Sequence, residues 1–272
     1  MRHRQQQYTI IQKRKKGMNP KISVIMPAYN AGKYISTAID SVLQQKAEGL
    51  TGEELLELLV VDDGSTDDTV NIVEKFCYRD TRVHLFRNPR NQGVTWSRNY
   101  AVTRATGEYV AFLDSDDWWE AGKLERQLAL IQAKQCVLVY TGRELMDEEG
   151  NSLHRNIRVP EEVDYRQLLR GNIIPCSSVL LQSEIARKHP FTRDELHEDY
   201  ILWLTLLREY GTVYGIQEPL LKSRMSSGGK SRDKLKSAAM TYRVYRHMGF
   251  NPLQSLYYFA AYAVQGVKKY HG

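Results

Sequence analysis

The 272-residue sequence predicts an α/β protein: a mostly parallel sheet flanked by helices, followed by a helical C-terminal extension. Three observations predict it. In residues 21–113, four short β-rich apolar runs alternate with three segments whose apolar residues recur at helical spacing. Three of those runs stop abruptly in polar clusters, as strands do at a sheet edge. Residues 235–270 read as helical, basic and aromatic.

The first run, residues 21–26, alternates and breaks at Pro27. Residues 34–45 carry Ile35, Ala38, Ile39, Val42 and Leu43 at helical spacing. Residues 55–61 form a second strand that ends at Asp62-Asp63-Gly64-Ser65. Residues 67–78 form the second helix, with Asp67 and Asp68 in a first turn where negative charge suits the dipole. A third strand over 83–87 and a third helix over 95–105, closed by Gly107, follow. Residues 108–113 form a fourth strand ending in Asp114-Ser115-Asp116-Asp117. Beyond Trp119 the reading is a helix over 123–134, a strand over 137–141, a turn at 148–151 and a strand over 178–181. An amphipathic helix over 197–209 then turns Ile201, Leu204 and Leu207 inward. The chain divides into a basic flexible tail (1–20), a main domain (21–236, with halves 21–120 and 121–236) and a basic aromatic extension (237–272).

A hydrophobic fraction of 42% and an aromatic fraction of 10% supply a core and exclude general disorder. Cys77, Cys136 and Cys176 have no paired spacing, so neither a disulfide framework nor a zinc site is expected, and a reducing cytoplasm suits them. The polar, basic start has no apolar leader, and no run of about 18 apolar residues spans a bilayer. The net charge of +6 is uneven: residues 222–272 hold ten Lys or Arg against Asp233 alone. Such asymmetry calls for an anionic partner.

In parallel sheets ligands bind beyond the carboxyl ends of the strands. Here those ends carry Pro27-Ala28-Tyr29-Asn30, Asp62-Asp63-Gly64-Ser65 and Asp114-Ser115-Asp116-Asp117. Clustered carboxylates repel one another unless a cation neutralises them. Mg²⁺ or Mn²⁺ does so with one or two protein carboxylates, completing its shell with water and phosphate. The alternative is a polar turn in which Asp117 caps a helix. Tyr29 can lie beside a planar base, and Asp63 can accept a hydrogen bond from a uracil nitrogen or cap the helix near Thr69. Arg98 either faces phosphate or is a solvated helix residue. Glu198-Asp199 offers a carboxylate general base, or an ordinary acidic helix start.

In order, PAYN, VVDDGSTDDT, NQGVTWSRN, GEYVAFLDSDDWW and HEDYILWL resemble the family-2 glycosyltransferases of the GT-A (Rossmann-like) fold over residues 21–236. The stretch from YRQLLRGNIIPCSSVLL through EDYILWLTLL to GGKSR is similar to the teichuronic-acid and capsule-type members. The resemblance implies an inverting, metal-dependent transfer of a sugar from a UDP-type donor to a saccharide or polyprenyl-linked acceptor. Tyr29 and Asp63 would hold the base, Asp114 the ribose and Asp116 the Mn²⁺ or Mg²⁺ that bridges the phosphates. Asp199 would be the catalytic base. Pro27, Asn30, Arg98 and Ser115 complete the expected donor site. Arg224 and the 226–232 loop, with Lys230, would close over the diphosphate. This chain departs from the family at Ser223-Arg224, where relatives often carry Tyr-Arg.

The basic aromatic extension suits the inner face of a cell membrane, or packs Tyr257 to Val264 on the main domain with its lysines solvated. A sugar nucleotidyltransferase is the competing enzyme class, but it would place a glycine-rich basic loop where Pro27-Ala28-Tyr29-Asn30 stands. A nucleic-acid-binding module is disfavoured because an acidic edge repels phosphate backbones. No dinucleotide or P-loop motif is present.

Overall fold

The computed structural model of the chain describes residues 21–45, 56–225 and 234–271. Strands β1 (Ile22–Ala28), β2 (Leu56–Asp62), β3 (Val83–Arg87) and β4 (Tyr109–Phe112) pair in parallel in the order β3-β2-β1-β4. Helices α1 (Ile35–Leu43), α2 (Thr69–Arg79) and α3 (Val94–Arg104) connect them, as the periodicity predicts. Alternation sorts the strand residues by sheet face. Ile25, Leu59, Val61, Val110 and Phe112 enter one core with Ala101 and Val102 of α3. Val24, Met26, Leu58, Val60 and Ala111 enter the other with Ile35, Ala38, Ile39 and Val42 of α1. Both faces are covered, so these strands read as apolar runs.

The second half continues the same sheet. It contains β5 (Trp118–Trp119), α4 (Lys123–Lys134), β6 (Leu138–Met146), β7 (Ser152–Ile157), β8 (Glu162–Val163), α5 (Tyr165–Leu168), a 3₁₀ turn (Cys176–Ser178), β9 (Leu180–Gln182), α6 (Ser183–Lys188), α7 (Glu198–Tyr210) and β10 (Val213–Arg224). The strand order is β3-β2-β1-β4-β9-β6-β10-β5, with β7 on β6 and β8 on β10. Short β9 runs antiparallel to β4 and β6, while β6 and β10 are parallel. The sheet is therefore mixed, with parallel pairing in its longer ladders.

Strands β7, β8 and β10 were not expected, and four of the expected features differ. β1 runs through Pro27 to Ala28. Ala28 O accepts from Asp63 N on the β2 side and Ile25 O from Leu113 N on the β4 side. By alternation Pro27 faces the β4 side past the last paired residue, where no ladder N–H is required. The strand near residue 180 starts later than expected because residues 176–178 form the 3₁₀ turn. Helix α7 is buried almost all round, since Tyr200, Leu202, Trp203 and Leu206 join Ile201, Leu204 and Leu207 inside. The expected helix 235–270 is two helices, α8 (Lys234–His247) and α9 (Pro252–His271). Gly249 takes φ +92 between them. Asn251 and Gln254 then cap the second helix reciprocally, at 2.9 and 3.1 Å. The packing expected of residues 257–264 holds for one face: Tyr258, Phe259 and Tyr262 pack on the core, while Leu256, Tyr257 and Val264 are exposed.

Candidate functional site

Strand order reverses between β1 and β4, so the crevice at their carboxyl ends is the place for a ligand. The loops there are tied together. Asn30, at φ +49, accepts from Thr66 N through Oδ1 at 2.9 Å, and its own N donates to Ser65 Oγ at 2.9 Å. Gly32 N donates to Asp67 Oδ2 at 2.9 Å, and Asp67 Oδ1 accepts from Thr69 N at 3.0 Å. Asp67 thus bridges the two loops from just ahead of α2, rather than lying in the helix's first turn. Asp67, and not Asp63, holds the start of that helix. Tyr29, half exposed, stands at the mouth of this pair of loops.

Asp63 is buried and accepts from Asn88 Nδ2, Gln92 N and Gly93 N at 2.6, 2.9 and 2.8 Å. It fixes the loop that leads into α3. The solvated reading of Arg98 fails: its side chain is 4% exposed, because α3 points it beneath the crevice. One nitrogen donates to Asp114 Oδ1 at 2.6 Å and another to Glu198 Oε1 at 2.8 Å. A single guanidinium therefore joins the end of β4 to the start of α7, segments that are remote in the chain. Phe191 lies under it, 5.3 Å from ring centre to guanidinium carbon.

The acidic cluster divides by environment. Asp114 is partly exposed, and its N donates to Ser177 Oγ at 3.1 Å. Ser115 and Asp116 are half-buried beside it. Asp117 is buried and does not cap a helix; α4 begins six residues later, after Gly122. Instead, Asp117 Oδ1 accepts from Arg224 N at 2.9 Å. Burial, then the charges of Asp116 and Asp114, push its carboxyl well above the usual range. Arg224 reaches the same loop by its side chain, donating through Nε to Asp116 O at 3.0 Å and through Nη1 to Glu148 O at 2.6 Å. Its guanidinium lies between the rings of Tyr34 and Trp118, 4.3 and 5.0 Å from their centres. Lys230 and the 226–232 loop fall outside the described residues.

Asp199 is in the first turn of α7, and its Oδ2 accepts from Asn172 Nδ2 at 3.4 Å. Burial and the neighbouring Glu198 charge push its pKa up, against the pull of Arg98 and His197. His197 Nε2 lies 3.2 Å from Ser237 O, on α8. Sequence reasoning missed Glu198 as the second partner of Arg98, and it missed Ser177, Asn172 and Trp118. Glu198 had a signal in its adjacency to Asp199. The other three become site residues only when distant segments meet.

Among the described residues no group of three or more His, Cys, Asp or Glu is placed to hold a metal ion by itself. The donor set nevertheless fits a hard cation that draws most of its ligands from phosphate and water. The observation behind that fit is the crowding of Asp114, Asp116 and Asp117 in one loop, where the charges of Asp116 and Asp114 add to burial in pushing the Asp117 carboxyl up.

The chain is similar to TuaG of Bacillus subtilis (strain 168), named as a teichuronic acid biosynthesis glycosyltransferase, with 36% identity over 92% of this chain and 97% of the relative. It is 35% identical, over 92% of this chain and 94% of the relative, to the Escherichia coli UDP-Glc:alpha-D-GlcNAc-diphosphoundecaprenol beta-1,3-glucosyltransferase WfgD. In structure it resembles S. aureus TarS 1–349 in complex with UDP-GlcNAc, with TM-score 0.68 and 20% identity over 91% of this chain and 73% of that one. It also resembles the mannosyltransferase PcManGT from Pyrobaculum calidifontis in complex with GDP-Man and Mn²⁺, with TM-score 0.65 and 18% identity over 94% and 77% of the two chains. Those two likenesses establish the GT-A fold. With residues 23–186 matching the family described as Glycosyl transferase family 2, the chain belongs to that family of glycosyltransferases.

Proposed function

We propose that the protein moves a sugar from a UDP-sugar to a hydroxyl of a lipid-linked saccharide, with inversion at the anomeric carbon, in the assembly of a cell-surface polysaccharide. The observation that carries this reading is the Asp114–Arg98–Glu198 chain of ion pairs, which ties the acidic loop to the helix bearing Asp199. The relative that uses UDP-Glc and a diphosphoundecaprenol-linked acceptor supports the choice of donor and acceptor. The reaction would run at the cytoplasmic face of the membrane.

In this mechanism Tyr29 and Asp63 border the base at the ends of β1 and β2, with Pro27 and Asn30 shaping that wall. Asp114 orients the ribose, with Ser115 beside it. Asp116 would hold Mn²⁺ or Mg²⁺, which when bound would neutralise charge developing on the departing diphosphate. Arg224 shapes the phosphate side from behind the Asp116 carbonyl. Asp199 takes the proton of the acceptor hydroxyl as it attacks opposite the leaving group, a contribution of roughly 10²–10⁴-fold. Glu198, held by Arg98, keeps Asp199 basic by repulsion. A nucleotidyltransferase reading gains nothing from this site, because the loop after β1 holds one glycine and one lysine, Gly32 and Lys33, rather than a glycine-rich basic run.

Calorimetric titration of UDP with and without Mn²⁺ tests the assignment. Mn²⁺ should tighten UDP binding by at least about tenfold, or 1.4 kcal/mol, and Asp116→Asn should remove that difference. Equal affinities with and without the metal would overturn the role of Asp116.

A further inference from the structure

We propose that the outward face of α9 docks the protein on an anionic lipid bilayer. The inference rests on the lipid-linked acceptor reading and names the surface that would bring the protein to such an acceptor.

Helix α9 has two apolar faces, whereas a helix on a globular surface ordinarily has one. Its inner face is accounted for. Ser255 is buried, and Tyr258 packs 5.8 Å from the Tyr245 ring and 5.0 Å from that of Phe250. Phe259 meets Tyr242 at 6.5 Å and Tyr262 meets Tyr200 at 6.2 Å. The outer face carries Leu253, Leu256, Tyr257 and Val264, which are 80, 57, 63 and 58% exposed. Their spacing of i, i+3, i+4 and i+11 puts them in one stripe along the helix. Exposed Ala260 and Ala263 leave the ground around it small and uncharged. Large side chains arranged this way on a helix that is already packed mark a contact surface.

Charge selects the occupant. Residues 234–271 hold six Lys or Arg and no Asp or Glu. Of these, Arg243 and Arg246 are exposed on α8, the helix against which α9 packs through Tyr242 and Phe259. An apolar stripe on a helical hairpin whose charged residues, His aside, are all cations fits the headgroup region of a bilayer carrying anionic lipid. A second copy of this chain would set the same cations against themselves across a two-fold axis. No described helix is long and apolar enough to cross a membrane, so α9 would lie in the surface. The hairpin is also fastened beside the site. His197 Nε2 lies 3.2 Å from Ser237 O of α8, and His197 is two residues from Asp199. A docked α9 would hold the proposed base close to the bilayer in which a lipid-linked acceptor is anchored.

Flotation of the full chain with phosphatidylcholine vesicles, with and without about one-third phosphatidylglycerol, tests this. The protein should float with the anionic vesicles, lose most of that binding at high salt, and bind neutral vesicles weakly. The variant Leu253→Ser/Leu256→Ser/Tyr257→Ser should lose at least about tenfold in anionic-vesicle binding while keeping its far-UV spectrum, thermal midpoint and UDP affinity. No flotation of the intact chain, or equal flotation of the variant, would overturn the proposal. So would a variant that changes the sedimentation of a dimer and leaves vesicle binding intact, because the stripe would then be a contact between copies. UDP titration is independent of lipid. Vesicle binding without UDP binding would therefore remove the donor reading and leave the docking face standing, whereas UDP binding without flotation would do the reverse.

Discussion

Arg98 governs the electrostatics of the site residue by residue. Buried between Asp114 and Glu198, it supplies the positive charge that lets three carboxylates, Asp199 included, share one crevice. Removing either partner of a buried pair leaves an uncompensated charge, at a cost of about 3–5 kcal/mol. Glu198→Gln tests the pair more gently. An Asp199 base works only when ionised, so transfer rises with pH through its pKa, and the Glu198 charge raises that pKa. The acid limb of kcat should therefore move to lower pH in Glu198→Gln, with UDP affinity nearly unchanged. An unmoved limb would mean that Glu198 only braces Arg98. Asp199→Asn should lower kcat by about 10²-fold or more in a transfer assay with UDP binding intact; lost UDP affinity would place Asp199 in the donor site instead. Arg98 was visible in the sequence as a residue of a family-like motif. Its burial was not, because both carboxylates that hold it come from remote segments.

At the scale of elements, β10 shows why sequence reading weakened after residue 120. The twelve-residue strand contains Gly215 and Pro219, which read as breakers, and its ladder with β6 is irregular between Ile216 and Leu221. Gly215 is needed for close approach: a Cβ there would stand 2.4 Å from Pro160 O and 2.9 Å from the Tyr140 ring. Gly215→Ala should destabilise the protein by about 1–3 kcal/mol, read as a lower denaturation midpoint in urea with an unchanged m-value. Since β10 ends at Arg224, whose N–H and side chain hold the acidic loop, UDP affinity should weaken in the same variant. The break between α8 and α9 was written in Gly249 and Asn251-Pro252. There the turn chemistry outweighs the helical composition on either side.

For the whole molecule, one sheet runs through both halves of the main domain, because β9 pairs with β4 on one side and β6 on the other. Unfolding should therefore be a single transition in differential scanning calorimetry. UDP with Mn²⁺ at about a hundred times its Kd should add about 2.7 kcal/mol to stability and raise Tm by several degrees. Two transitions, with only one responding to UDP, would show that the halves fold independently.

The sequence by itself determined the four alternating strands and three helices of the parallel half, the acidic residues at the strand ends and the family, because alternation, helical periodicity and collinear motifs are local properties of the chain; the strand order came from the structure. Only the tertiary structure decided that Asp117 anchors Arg224 rather than a helix, that Arg98 bridges Asp114 and Glu198, and that α9 turns one apolar face inward and another out. Each of these depends on which distant segments meet. A side chain's charge and size are fixed in the sequence, but its partners and its dielectric surroundings arise only when the sheet closes around it.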